Sequence, residues 1–338
     1  MASTAVRRHR AENYILTSLI AFAVTVIITR LFLELTGYPQ IGNSVLHIAH
    51  ALWGGLLLII AAYLPLAYAN RWALQGSASL SGVGIGLFID EVGKFITQTN
   101  DYFFPPAMPL IYGFILLITL VYFYFRRSRH ENPRQALYST LDGLKDALDG
   151  NLDAAKAARI ETHLAVAMRS DQEEIQLLAS ALNAYLRQGK GLLTAAKPGF
   201  WKRASFWLEA VGIRLGRRRH RMIISITLLG WVILVTSYII IIFQGGSNLD
   251  PQVHQWRIPL IVIQSMVGIL MVVAVISWLS KQEVQGITFG VSGFLISLVA
   301  LQLLYFYISQ FLAITVTLLQ VAILQVLVAY RRWYLKER

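Results

Sequence analysis

Cysteine is absent from the chain, and that excludes a disulfide framework, a thiolate metal site and a catalytic thiol. Charge is scarce as well. Only 14% of the 338 residues are Asp, Glu, Lys or Arg, where soluble domains carry about 25%. Acids are the rarer sign, 18 against 30 Lys and Arg. Several catalytic signatures are missing too: no Walker A sequence, no nucleophile elbow and no H-E-x-x-H. Gly82-x-Gly84-x-Gly86 does not complete a dinucleotide fingerprint, because position 87 is Leu.

What fills the chain instead is apolar: 56% hydrophobic residues and a mean hydropathy of +0.56. The net charge of +12 sits in clusters that abut hydrophobic runs, at Arg7-Arg8-His9-Arg10, Arg126-Arg127-Ser128-Arg129, Arg217-Arg218-Arg219-His220-Arg221 and Arg331-Arg332. That is the positive-inside pattern of a membrane protein, and the lipid bilayer accounts for the basicity without nucleic acid. Basic residues interleaved with stacking aromatics on a soluble face would be needed for nucleic-acid binding.

The expected fold is an all-α polytopic membrane protein of about eight transmembrane helices with a cytoplasmic helical insert. The spans fall near Tyr14–Leu35, Ser44–Ala69, Ala78–Gln98, Pro106–Phe125, Met222–Phe243, Ile258–Ser280, Gly286–Ser309 and Phe311–Tyr330, each close to the ~20 residues a bilayer core requires. The first is too long for a signal-peptide core and is kept as a span. The organisation is then residues 1–127 (helices one to four), 128–186 (insert), 187–221 (a basic amphipathic interfacial segment) and 222–338 (helices five to eight). Lys and Arg in the short loops place both termini in the cytoplasm.

Residues 135–186 carry four basic and eight acidic side chains, with leucines at helical spacing, and read as three amphipathic helices broken near Asp149-Gly150-Asn151 and Ser170-Asp171. So small a segment docks on the membrane part or on a soluble cytoplasmic partner. Asp142, Asp146, Asp149 and Asp153 lack the pattern of a calcium loop and read as a solvated face. In 187–221, ten basic residues alternate with Phe200, Trp201, Phe206 and Trp207, and Arg217, Arg218, Arg219 and Arg221 are expected to face lipid headgroups. The run Leu148–Asp153 through Glu161-Thr162-His163-Leu164 resembles the start of zinc-binding anti-sigma domains. Their two cysteines are Ala167 and Ser170 here, so the resemblance implies no zinc site.

The functional signal lies in the first half. Arg30 and Glu34 fall in span one, His47 and His50 in span two, and Asp90, Glu91 and Lys94 in span three, all at the depth of one leaflet. A charge at that depth costs at least ~2.5–3.5 kcal/mol on insertion scales, so such groups are usually paired and functional. Ala78, Gly82, Gly86, Asp90 and Lys94 recur every four residues, a small-residue stripe that should face the bundle. Arg30 with Glu34 and Asp90 with Lys94 are candidate pairs at i,i+4.

Three functions compete with mere charge neutralisation. The first is a proton- or cation-coupled transporter or channel-like protein, in which Asp90, Glu91, Lys94, Arg30, Glu34, His47 and His50 line an outward-facing polar pathway. The second is a membrane signalling or assembly component working through the insert. The third is a metal-dependent intramembrane hydrolase, with a divalent ion on His47, His50 and Asp90. The composition is compatible with an oligomer. His47–Gly55, Gly86–Phe95 and Asn100–Phe104 resemble a group of bacterial multi-pass membrane proteins without assigned function. That resemblance covers spans one to four; it implies the bacterial inner (plasma) membrane and no activity.

Overall fold

A computed structural model describes residues 5–37, 49–99, 101–102, 104–127, 132–188, 200–245 and 251–334. Eight of its helices are long and apolar enough to cross a membrane: Ala11–Thr36, His50–Ala67, Arg71–Asp90, Ala107–Arg126, Arg217–Ile241, Arg257–Leu279, Glu283–Ile308 and Gln310–Trp333. The architecture is therefore that of an all-α, multi-pass membrane protein. In lipid every backbone polar group must be satisfied within its own helix.

The chain forms two compact units, residues 1–91 with 117–198, and residues 92–116 with 199–338. In the first unit, α1 (Ala11–Thr36) and α2 (His50–Ala67) both pack on α3 (Arg71–Asp90). Glycines set the spacing. A Cβ on Gly82 would collide with the Ser18 carbonyl oxygen of α1, and one on Gly84 would lie 2.8 Å from the Gly54 carbonyl oxygen of α2. Alternate glycines of α3 thus let two neighbours approach to backbone contact.

The insert belongs to this same unit. It consists of α6 (Pro133–Leu148), α7 (Ala154–Ala167) and α8 (Glu173–Gln188), following α4 (Val92–Ile96) and α5 (Ala107–Arg126) in the chain. The breaks fall where the sequence placed them. Asn132 caps α6 by accepting from the Gln135 N–H at 2.7 Å, Gly150 turns the chain at φ +67°, and Asp153 caps α7 by accepting from the Lys156 N–H at 2.8 Å. Leu152, Ile160, Leu164, Ala167 and Ala179 form a small core.

The solvated-face expectation is corrected for Asp146, while Asp149 is exposed as expected. Asp146 is buried and pairs with Arg71, the first residue of α3, while Asp149 accepts from the Asn70 amide at 2.9 Å. Both charges are used to dock the insert on the start of a membrane-spanning helix.

In the second unit, α9 (Phe200–Gly245) runs unbroken for 46 residues, so no helix break separates the basic segment from the fifth span near Arg221. It is followed by α10 (Pro251–Gln255), α11 (Arg257–Leu279), α12 (Glu283–Ile296), a π-helical turn at Ser297–Leu301, α13 (Gln302–Ile308) and α14 (Gln310–Tyr334). The core holds Leu228, Trp231, Met271, Trp278, Phe294 and Tyr330.

Candidate functional site

The functional side chains of the first unit converge where α3 ends. Asp90 is its last residue, and Glu91 follows in a turn with φ −88° and ψ 10°. Because the helix stops there, the four-residue stripe runs through Ala78, Gly82, Gly86 and Asp90, all buried, and does not continue as one helix to Lys94. Gly86 makes the convergence sterically workable: a Cβ on it would sit 2.7 Å from Cβ of Thr25, which precedes Arg30 on α1.

Arg30 Nε donates to Asp90 Oδ1 at 2.6 Å, and its Nη2 donates to the Asp90 backbone carbonyl at 3.0 Å. The guanidinium fork thus holds both the side chain and the end of the helix. His50, first residue of α2, lies between two carboxylates. Its Nε2 is 3.2 Å from Asp90 Oδ2 and its Nδ1 is 3.1 Å from Glu91 Oε1. Glu91 Oε2 also accepts from the Ala51 N–H at 3.4 Å. Ala49, the residue before α2, makes no side-chain cap. A carboxylate just past the end of α3 therefore serves the positive N-terminus of α2.

Burial grades the four groups. Arg30, Asp90 and Glu91 are at most 2% exposed, while the His50 side chain is 24% exposed. The imidazole is the accessible member and the carboxylates lie behind it.

The two ring contacts limit the proton arrangements if both are hydrogen bonds, as the Nε2 contact is. Two ionised carboxylates accept only, so two N···O contacts need two protons on the ring; otherwise a neutral ring is matched by one carboxylic acid. With Arg30 both arrangements are neutral overall, and they differ by the position of one proton along a contact of 3.1–3.2 Å. Gaining or losing a proton instead leaves a net charge at membrane depth.

Of the other candidate residues, Glu34 is exposed on α1 and His47 lies outside the described residues. Lys94 belongs to the second unit, where its Nζ stands 5.4 Å from the Tyr102 ring centroid. Among the described residues no group of three or more His, Asp or Glu is placed to hold a metal ion. The donor geometry gives the reason: the two nitrogens of His50 address different carboxylates on opposite edges of the ring, and Asp90 Oδ1 is taken by Arg30.

The second unit has a polar seam of its own. Gln320 donates to Ser297 Oγ at 2.7 Å, Gln302 donates to Gln320 at 3.3 Å, and Tyr112 donates to the Leu298 carbonyl at 2.7 Å, within the π-helical turn. Of the basic residues expected at headgroups, Arg217 and Arg221 pair with Glu283 at 3.0 and 3.2 Å, and Arg218 and Arg219 are exposed.

Sequence spacing suggested partners along one helix. Arg30 and Asp90 are joined across helices, and only their shared depth with His50 signalled it. The pairing of Arg71 with Asp146 had no local signal at all. No family model, curated protein or solved structure matches the chain.

Proposed function

We propose that the protein is a proton-coupled membrane transporter whose proton-handling site is the tetrad Arg30, His50, Asp90 and Glu91. The observation that carries this is the His50 ring set between two buried carboxylates, one of them clamped by a guanidinium. Such a group is neutral at rest, takes up a proton at its exposed imidazole at the cost of one transient net charge, and passes a proton on through either acid. The tetrad would open to the outer side of a bacterial inner membrane, with both termini cytoplasmic. Glu34, exposed on the same helix as Arg30, would line the approach.

Proton flux in proteoliposomes tests it, comparing wild type with Asp90→Asn, Glu91→Gln and His50→Gln. Flux driven by a pH gradient in wild type, lost in folded Asp90→Asn and His50→Gln, is the expected result. A well-folded wild type that passes no protons under any imposed gradient sinks the proposal.

A second reading, signalling or assembly through residues 135–186, has its own support: the insert packs in the same unit as the tetrad and grips Arg71. Deleting 135–186 separates the two, since transport through the tetrad would survive the deletion and signalling would not.

A further inference from the structure

At the other end of the first unit, where α1 and α3 begin, a small cavity of about 20 Å³ is lined by His9, Arg10, Arg71, Lys156, Arg159 and His163, with Asp146 at its wall. Space of that size admits one water or one oxygen atom of a larger group. Its charges do not balance. Asp146 is shared by Arg71 and Lys156, the latter at 3.3 Å, and Asp142 is shared by Arg71 at 3.8 Å and Lys145 at 3.2 Å. Both acids are thus used twice, while Arg10 and Arg159 have no ion pair among the described residues. Beside them the rings of His9 and His163 meet edge to face, 5.2 Å between centroids.

We infer that this cavity is a binding site for a phosphate group, held by Arg10 and Arg159 with His9 and His163 beside it. Two stretches distant in sequence supply these side chains, the residues preceding α1 and helix α7 of the insert, with Arg71 at the start of α3 on the cavity wall. Guanidinium forks match the geometry of phosphate oxygens, one of which fits the cavity while the others remain at its mouth. The cavity borders the first residues of two spans, the depth at which phospholipid phosphates lie, although a free phosphate would make the same contacts. The field inside it supports the assignment. His9 is pushed down to about 4 by burial and then by the neighbouring His163, Arg71 and Arg10. Arg10 is lowered by burial and by Arg71 and Arg159. An anion would relieve both. Because the insert supplies half of the donors, occupancy should tighten its docking. This inference is independent of the tetrad.

The test uses the full chain. Inorganic phosphate is titrated into detergent-purified protein by calorimetry. Hydrogen exchange of α6 and α7 is followed in nanodiscs of phosphatidylcholine with and without phosphatidylglycerol. Wild type is compared with the double variant Arg10→Gln, Arg159→Gln and with Arg169→Gln, an exposed arginine of the insert outside the cavity. The expected result is saturable binding, or added protection, that falls at least tenfold in the double variant and persists in Arg169→Gln. Saturation by inorganic phosphate that phosphatidylglycerol does not displace identifies a free phosphate; protection gained only with phosphatidylglycerol identifies the headgroup. A wild type that responds to neither anion overturns the inference, and so does an equal loss in Arg169→Gln.

Discussion

Arg30 and Asp90, separated by 60 residues, are tied by two hydrogen bonds, one to the carboxylate and one to the backbone carbonyl that closes α3. Removing one partner of a buried ion pair strands the other. Arg30→Ala should therefore destabilise the protein by about 3–5 kcal/mol. Arg30→Lys keeps the charge and loses the planar fork that reaches both acceptors, so it should fall between. Denaturant unfolding in detergent, monitored by tryptophan emission, ranks the three proteins. An Arg30→Ala variant as stable as wild type would show that the pair is dispensable for folding.

The close approach of α1 and α3 makes a second prediction. Gly86→Ala drives a methyl group against Thr25 and should cost about 1–3 kcal/mol. Gly55→Ala meets nothing within 4 Å and should be neutral or gain up to about 1 kcal/mol from helix propensity. Thermal melting of the two single variants decides this. Because Gly86 lies one turn before Asp90, proton flux should fall in the first variant and persist in the second.

Docking of the insert depends on Arg71. Arg71→Ala leaves Asp146 buried with Lys156 as its remaining cation. The loss should be about 1–3 kcal/mol and local. Hydrogen exchange would then quicken in α6 to α8 while the core of α1 to α3 stays protected. Uniform quickening across both regions would mean that they unfold together.

The depressed His9 gives docking a pH dependence. Its folded value of about 4 lies below the ordinary 6.5, so between the two the unfolded chain binds a proton that the docked form refuses. Stability from this group is full above 6.5 and is lost as pH falls toward 4. Melting followed across that window should show a steeper acid loss in wild type than in His9→Gln. Equal slopes would assign the acid loss to the carboxylates alone.

In the second unit, the buried Gln302 Oε1 has no hydrogen-bond partner, although the Gln302 amide donates to Gln320. Gln320→Leu alone should cost about 1–2 kcal/mol, because it removes the acceptor for that amide. Gln302→Leu with Gln320→Leu should recover most of the loss, since no polar atom of the pair is left behind. A double-mutant cycle on melting temperature reads the coupling directly.

The sequence carried the helical class, the eight spans and the three insert helices because each depends on local signals: run length, leucine spacing, and caps at Asn132 and Asp153. It also placed Arg30, His50, Asp90 and Glu91 at one depth. Their partnership was not legible, because it depends on which faces of α1, α2 and α3 meet. The glycine stripe pointed inward without saying toward which neighbour. Periodicity carried the stripe on to Lys94, whereas the helix ends at Asp90 once both its side chain and its carbonyl are engaged by Arg30. Asp146 was misread for the opposite reason. Acidic residues on a short amphipathic helix look solvated until the basic residue they meet, 75 positions earlier in the chain, is in view.

α3 has 20 residues and so spans about 30 Å. Arg71 at its first residue is held by the insert, and Asp90 at its last is held by Arg30 and His50. With glycine-lined contacts to a helix on either side, it has the form of a push-rod in a close-fitting sleeve. Held at both ends, it joins the docked insert to the tetrad. A proton arriving at one end and a ligand arriving at the other would then act on opposite ends of one helix.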